Sequence, residues 1–289
     1  MKHQFRDLLV NDKQSANVLL HGVPFDGNYS INAGAKHAPD KLRELSWWLP
    51  AYSMDGEPLS HIRIYDEGNF ELHSFADIER AAKDLFKEER FHLIFGGDHS
   101  ISIPFQKDFI EKAKAKGKIP VLVHIDAHCD ICDVYLGSKH SHACTVRRAL
   151  DNGLEEGNLF MIGIREFEKD GYDYLINRKN DVHLFKASEV LSSGLGRFLK
   201  EVAEKNDDRY EIYVSFDIDS LDSAYAPGTG TPETCGLTPY VVRDILRTLG
   251  SFPNVRCLDV VEVAPPLDVN DITGWAAVKL VYEFLAVRK

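Results

Sequence analysis

The chain has 289 residues, 44% of them hydrophobic, enough to bury the core of one large α/β domain. A formal net charge of −11 and a pI near 5.5 argue against nucleic acid or an anionic membrane as partner. No apolar stretch reaches membrane-spanning length and Met1–Val10 lacks a signal-peptide core, so a cytoplasmic protein without a membrane anchor is expected.

In chain order, β-rich runs occur at Asn17–Phe25, Ile62–Tyr65, Phe91–Phe95, Val121–Ile125, Asn158–Gly163, Val182–Phe185, Ile212–Phe216 and Val255–Val261. Between them lie amphipathic, helix-length segments at Pro39–Trp48, Phe75–Glu89, Pro104–Lys116, Ala187–Glu204, Pro239–Leu249 and Asp271–Val287, with a further helix start at Ser141–His142. This alternation predicts a three-layer α/β fold with a mostly parallel sheet flanked by helices. No linker, repeat or low-complexity tract divides residues 1–289, which predicts a single domain. Leu221–Leu237, with Pro227, Gly228, Gly230, Pro232 and Gly236, reads as a long ordered loop.

Three acidic, histidine-bearing segments stand at the ends of apolar runs: Gly96-Gly97-Asp98-His99-Ser100, Asp126-Ala127-His128-Cys129-Asp130 and Ser215-Phe216-Asp217-Ile218-Asp219. If strand geometry persists past Ile125, Asp126, His128 and Asp130 share one face, and Asp217 and Asp219 repeat the spacing. Open α/β sheets place their sites where such strands end. Four carboxylates and two imidazoles without thiolates favour Mn²⁺ or a similar divalent ion, and six ligands suit two ions about 3.5–4 Å apart. The five cysteines are odd in number and scattered, which fits a reducing compartment. Cys129-x-x-Cys132 lacks the second pair that a structural zinc site would need.

At these residues the chain resembles the ureohydrolase family, which includes arginase, agmatinase, guanidinobutyrase, proclavaminate amidinohydrolase and formimidoylglutamase. The resemblance runs through Gly22-Val23-Pro24-Phe25-Asp26-Gly27, the three segments above, Ala226–Glu233 and Val261-Glu262-Val263-Ala264-Pro265-Pro266, and is closest to agmatinase. It implies an eight-stranded sheet and two Mn²⁺ per subunit. His99 and Asp130 would bind one ion and His128 and Asp219 the other, with Asp126 and Asp217 bridging. It further implies attack by hydroxide on a guanidinium carbon, release of urea and an amine, a Glu262 carboxylate pairing with the guanidinium, and a homo-oligomer, commonly a trimer or hexamer. His142 aligns with the family's proton-transfer histidine; His140, two residues away, is its competitor.

Substrate choice rests on less. Arginases carry an asparagine that reads the substrate's α-carboxylate, and the matching position here is Cys132, which cannot make that contact. The stretch that follows, including Tyr135, resembles agmatinase. Glu168 sits where arginases keep an acidic residue facing the α-amino group, although a solvated helix-start charge is its other reading. The expected partner is thus a small cationic guanidino compound, agmatine first, with 4-guanidinobutyrate, arginine and N-formimidoylglutamate as alternatives. A metal-bound scaffold without catalysis is the reading from a different class.

Overall fold

The computed structural model describes residues 5–28, 31–178 and 181–288. Its eight strands are β1 Val18–Gly22, β2 Ile64–Asn69, β3 Phe91–Phe95, β4 Ile119–Ile125, β5 Leu159–Ile164, β6 His183–Lys186, β7 Tyr210–Asp217 and β8 Val255–Val261. They form one sheet in the order β2-β1-β3-β8-β7-β4-β5-β6, and every pairing between them is parallel. Parallel neighbours need crossovers, which the helices supply: α1 Ala38–Ser46, α2 Phe75–Ala82, α3 Ser102–Ala115, α4 Thr145–Asp151, α5 Lys169–Asn177, α6 Ala187–Glu189, α7 Leu195–Ala203, α8 Pro239–Gly250 and α9 Ile272–Ala286.

Alternate strand residues feed two cores. Leu93 and Phe95 join α1, α7, α8 and α9 on one face, whereas Ile94 joins α2 to α5 on the other. Burial of both faces explains why the strands read as continuous apolar runs. Each fully buried Phe, Leu or Ile contributes about 1.5–3 kcal/mol.

Register is what builds the site. Ile125 pairs with Phe216, Phe216 with Val260, and Val260 with Phe95. One row thus crosses the four central strands, and the residues just beyond it are Asp98 and His99, Asp126 to Asp130, Asp217 to Asp219, and Glu262.

The helix expectations need adjustment at three places. The segment Phe75–Glu89 breaks after Ala82, because Asp84 takes a left-handed φ of 65° and the amides of Asp84 and Phe86 bond the Asp108 carboxylate at 2.9 and 3.0 Å. Helix α5 is not among the predicted helix-length segments, although its N-cap Glu168 is open to a helix-start reading, and it carries Gly171, a residue of low helix propensity. A Cβ there would lie 2.7 Å from Cys129 Sγ, so the glycine serves close packing. Ala187–Glu204 contains a π-helical turn at Val190–Gly194 between α6 and α7.

Candidate functional site

The strand-geometry expectation fails at the site. Strand β4 ends at Ile125 and Asp130 adopts a φ of 47°, so Asp126, His128 and Asp130 converge by turning rather than by strand alternation. The device is the same at each strand end. Asp98 Oδ1 accepts from the Ser100 amide (3.0 Å), Asp126 Oδ1 from the His128 amide (2.6 Å) and Asp217 Oδ1 from the Asp219 amide (2.9 Å). These Asx turns tie one carboxylate oxygen to the backbone and leave the other to face inward at Asp126 and Asp217.

The inward atoms form two groups that share Asp126. His99 Nδ1 lies 3.1 Å from Asp126 Oδ2, 3.2 Å from Asp130 Oδ2 and 3.0 Å from Asp217 Oδ2. His128 Nδ1 lies 3.1 Å from Asp219 Oδ2 and 3.5 Å from Asp126 Oδ1. All six residues of the expected ligand set are therefore neighbours.

The tautomer of His99 tests whether this arrangement fits a cation. Ser215 Oγ donates to Asp259 Oδ1 at 2.7 Å, so it is free to accept from His99 Nε2 at 2.9 Å. Asp259 also accepts from Ser102 Oγ and the Tyr213 hydroxyl at 2.6 and 2.7 Å, which fixes this chain. With the proton on Nε2, His99 Nδ1 presents a lone pair to three carboxylates. Both His99 Nδ1 and Asp126 Oδ2 are buried without a hydrogen bond. Such a contact is repulsive unless a positive charge lies between them.

Among protein groups alone, that charge is a proton. Burial opposes a charged His99, but Asp126, Asp130 and Asp217 outweigh it and hold the ring's pKa well above the usual value. Burial, together with Asp219 and Asp126, pushes Asp217 up. A divalent cation removes both penalties, and nitrogen and carboxylate donors fit one. Among the described residues the groups placed to hold an ion contain only histidine and aspartate, with no thiol.

Sequence reasoning missed His124. It lies two residues before Asp126 on β4, and its Nε2 stands 3.1 Å from Asp126 Oδ2 while its ring stacks on His99 at 5.1 Å. Period-two spacing from Asp126 is the signal that could have found it.

A cavity of about 330 Å³ opens above the cluster, lined among others by His128, Asp130, Cys132, Tyr135, His142, Glu166, Glu168, Thr231 and Glu233. Among the described residues, no Lys or Arg lines it. His142 Nδ1 lies 2.6 Å from the Asn28 carbonyl, which can only accept, so this nitrogen carries the proton. The Asn28 amide is in turn held by Asp98 Oδ2 at 2.9 Å. His140 is exposed and stacks on Phe75 at 4.3 Å, away from the cavity lining. Glu262, at φ 63°, is buried and is not among the residues lining the cavity; its Oε1 accepts from the His99 amide at 2.6 Å. Burial, then Asp98, raises its pKa well above the usual range.

The model of the arginase family matches residues 16–287. The chain belongs to the arginase family. The mitochondrial guanidino acid hydrolase of Homo sapiens is 36% identical over 274 residues, covering 91% of this chain and 76% of its own. The guanidinobutyrase of Pseudomonas aeruginosa is 34% identical over 275 residues, covering 92% and 84%. Among solved structures, the agmatine ureohydrolase of Thermoplasma volcanium superposes with a TM-score of 0.86 at 31% identity, over 99% of this chain and 94% of that one. This arginase-family chain is thus a hydrolase of guanidino or amidine compounds. No helix among the described residues is long and apolar enough to cross a membrane.

Proposed function

We propose that the chain hydrolyses agmatine to putrescine and urea with two Mn²⁺ ions, as a cytoplasmic homo-oligomer whose residues 1–289 act as one catalytic domain. The observation that carries the substrate reading is the cavity lining: Glu166, Glu168 and Glu233 stand around it, and among the described residues no cationic side chain answers a substrate carboxylate. A second cation at the far end of the substrate finds complementary charge there, whereas a carboxylate is repelled. Exposed pairs each contribute only about 0.2–1 kcal/mol, so selection comes from repulsion of the wrong tail as much as attraction of the right one.

His99, Asp126, His128, Asp130, Asp217 and Asp219 would hold the ions, which when bound supply a water-derived nucleophile at neutral pH. Glu262 is the carboxylate that binds and orients the guanidinium. Its raised pKa reflects a buried charge without a cation beside it, a deficit that an arriving guanidinium fills. His142 moves the proton to the leaving amine from Nε2, since Nδ1 is committed to Asn28. Cys132 and Tyr135 shape the wall along the alkyl chain, and Glu168 receives the distal ammonium.

The competing reading is a guanidino acid, as the names of the human and Pseudomonas relatives indicate for those proteins. Urea release should be compared for agmatine, 4-guanidinobutyrate and arginine, and ammonia release for N-formimidoylglutamate, with metal content measured in parallel. Agmatine should give the highest kcat/KM. A higher value for 4-guanidinobutyrate would refute the assignment of the tail. No turnover of any compound at full manganese occupancy would leave the non-catalytic binding protein.

A further inference from the structure

We propose that Arg165 is a positioning residue that locks the Asp219 turn and the glycine-rich wall of the cavity into one unit. Its guanidinium lies just past the end of β5, and among the described residues every hydrogen bond it donates goes to a backbone carbonyl, while its charge also acts on the Asp222 carboxylate. Nη2 donates to Asp219 O at 2.8 Å, Glu233 O at 3.1 Å and Leu221 O at 3.2 Å. Nη1 donates to Gly163 O at 3.2 Å and Ser220 O at 3.3 Å, and Nε to Thr234 O at 2.9 Å. Among the described residues no carboxylate forms an ion pair with it. Its own amide bonds Ala127 O at 2.8 Å, between Asp126 and His128.

These contacts join three separate stretches of chain. The first is the turn that presents Asp219, whose Oδ2 reaches His128 Nδ1 and accepts from Thr231 Oγ1 at 3.3 Å. The second is Glu233–Thr234 on the loop that walls the cavity. The third is the Asp126–Asp130 segment itself. A planar fork with five N–H donors can span carbonyls on several segments; an ammonium with three donors at one point cannot. Displacing the fork lets the carbonyl ends of the Asp219 turn separate from the loop, so one ion loses ligand geometry and the wall beside the substrate loosens together.

The test uses Arg165→Lys, which keeps the charge and loses the fork, and Arg165→Met. Metal-stripped protein is titrated calorimetrically with Mn²⁺, cleavage within residues 221–237 is followed by limited proteolysis, and kcat and KM are measured for the best substrate. We expect 10–100-fold weaker binding at one of two sites, faster cleavage in the loop, and KM raised by a larger factor than kcat is lowered, with Lys intermediate. Folded variants with unchanged manganese affinity and KM overturn the proposal, as does a loss of thermal stability with both retained. Failure of both variants to fold also counts against it, because a positioning role predicts a folded protein with a misplaced ligand. The kinetic arm rests on the hydrolase reading above; the metal and proteolysis arms do not. Wild-type protein that binds manganese but turns over no guanidino compound therefore sinks that reading alone.

Discussion

His142 and His140 illustrate how far residue types alone can be read. Both stand two residues apart on one loop, and spacing could not choose between them. Their partners differ, which supports His142 in the proposed role: a carbonyl at 2.6 Å fixes the tautomer of His142 beside the cavity, and the Phe75 ring stacks on His140. On the proposed mechanism His142→Ala should lower kcat by about 10²–10⁴ with manganese content unchanged, and His140→Ala should leave both unchanged. Equal losses in the two variants, measured by steady-state kinetics and metal analysis, would refute the assignment. Asp126 and Asp217 were legible as a pair because their motifs end apolar runs. His124 was not, because inside the run Val121–Ile125 it reads as a strand residue. The left-handed backbone at Asp130 carries no sequence signature either, since aspartate is a common residue in turns.

At the scale of elements, the sequence reveals the central strands to within a few residues because burial on both faces leaves apolar runs, whereas the half-exposed edge strand β2 extends to Asn69, past the Tyr65 at which its apolar run stops. At α4 the sequence reveals the start, since the turn that leads into it begins at His142, but not what holds its centre at Arg147-Arg148. Arg148 folds back to donate to Asp133 O at 3.0 Å and pairs with the Asp133 carboxylate at 2.6 Å, a long-range partnership no local pattern reveals. Gly97 shows the same limit from the opposite side. It joins β3 to His99, a proposed metal ligand, and a Cβ there would lie 1.7 Å from the Phe25 carbonyl oxygen, which also accepts from the Asp98 amide. Gly97→Ala should therefore cost about 1–3 kcal/mol in urea unfolding and weaken manganese binding as His99 is pushed aside. Gly196→Ala on α7 meets open space and should stabilise by about 0.5–1 kcal/mol. Indistinguishable unfolding midpoints for the two variants would contradict this account.

For the whole molecule, one component of the pH response below neutrality comes from a buried histidine pair between β1 and β3. It opposes the raised groups of the site, His99, Asp217 and Glu262, whose stabilisation is lost as pH rises. His21 Nε2 lies 3.1 Å from His92 Nδ1 across β1 and β3. Burial, and then the neighbouring His92, lowers His21 well below its usual value. Burial likewise brings His92 down to about 4. The unfolded chain binds protons on these rings near 6.5 and the folded one does not, so stability rises with pH across this window. It is complete above about pH 6.5 and falls as pH drops toward 4, where His92 alone costs about 3 kcal/mol by 1.36 kcal/mol per unit. In urea unfolding of metal-free protein from pH 4 to 7, the wild-type profile minus that of His92→Leu should isolate this slope, since the site groups contribute equally to both. An unchanged slope in that variant would assign the acid sensitivity elsewhere.

The distribution of thiols has a practical consequence. Cys129, Cys132, Cys144 and Cys257 are buried, and Cys235 is exposed on the loop that Arg165 ties to the Asp219 turn. Burial keeps Cys129, Cys132, Cys144 and Cys257 protonated at neutral pH, and the thiolate is the form that alkylating reagents attack. The unaltered protein therefore offers a single attachment point for a maleimide dye. That dye would sit two residues from Glu233 on the cavity wall, reporting metal loading and substrate entry as changes in fluorescence.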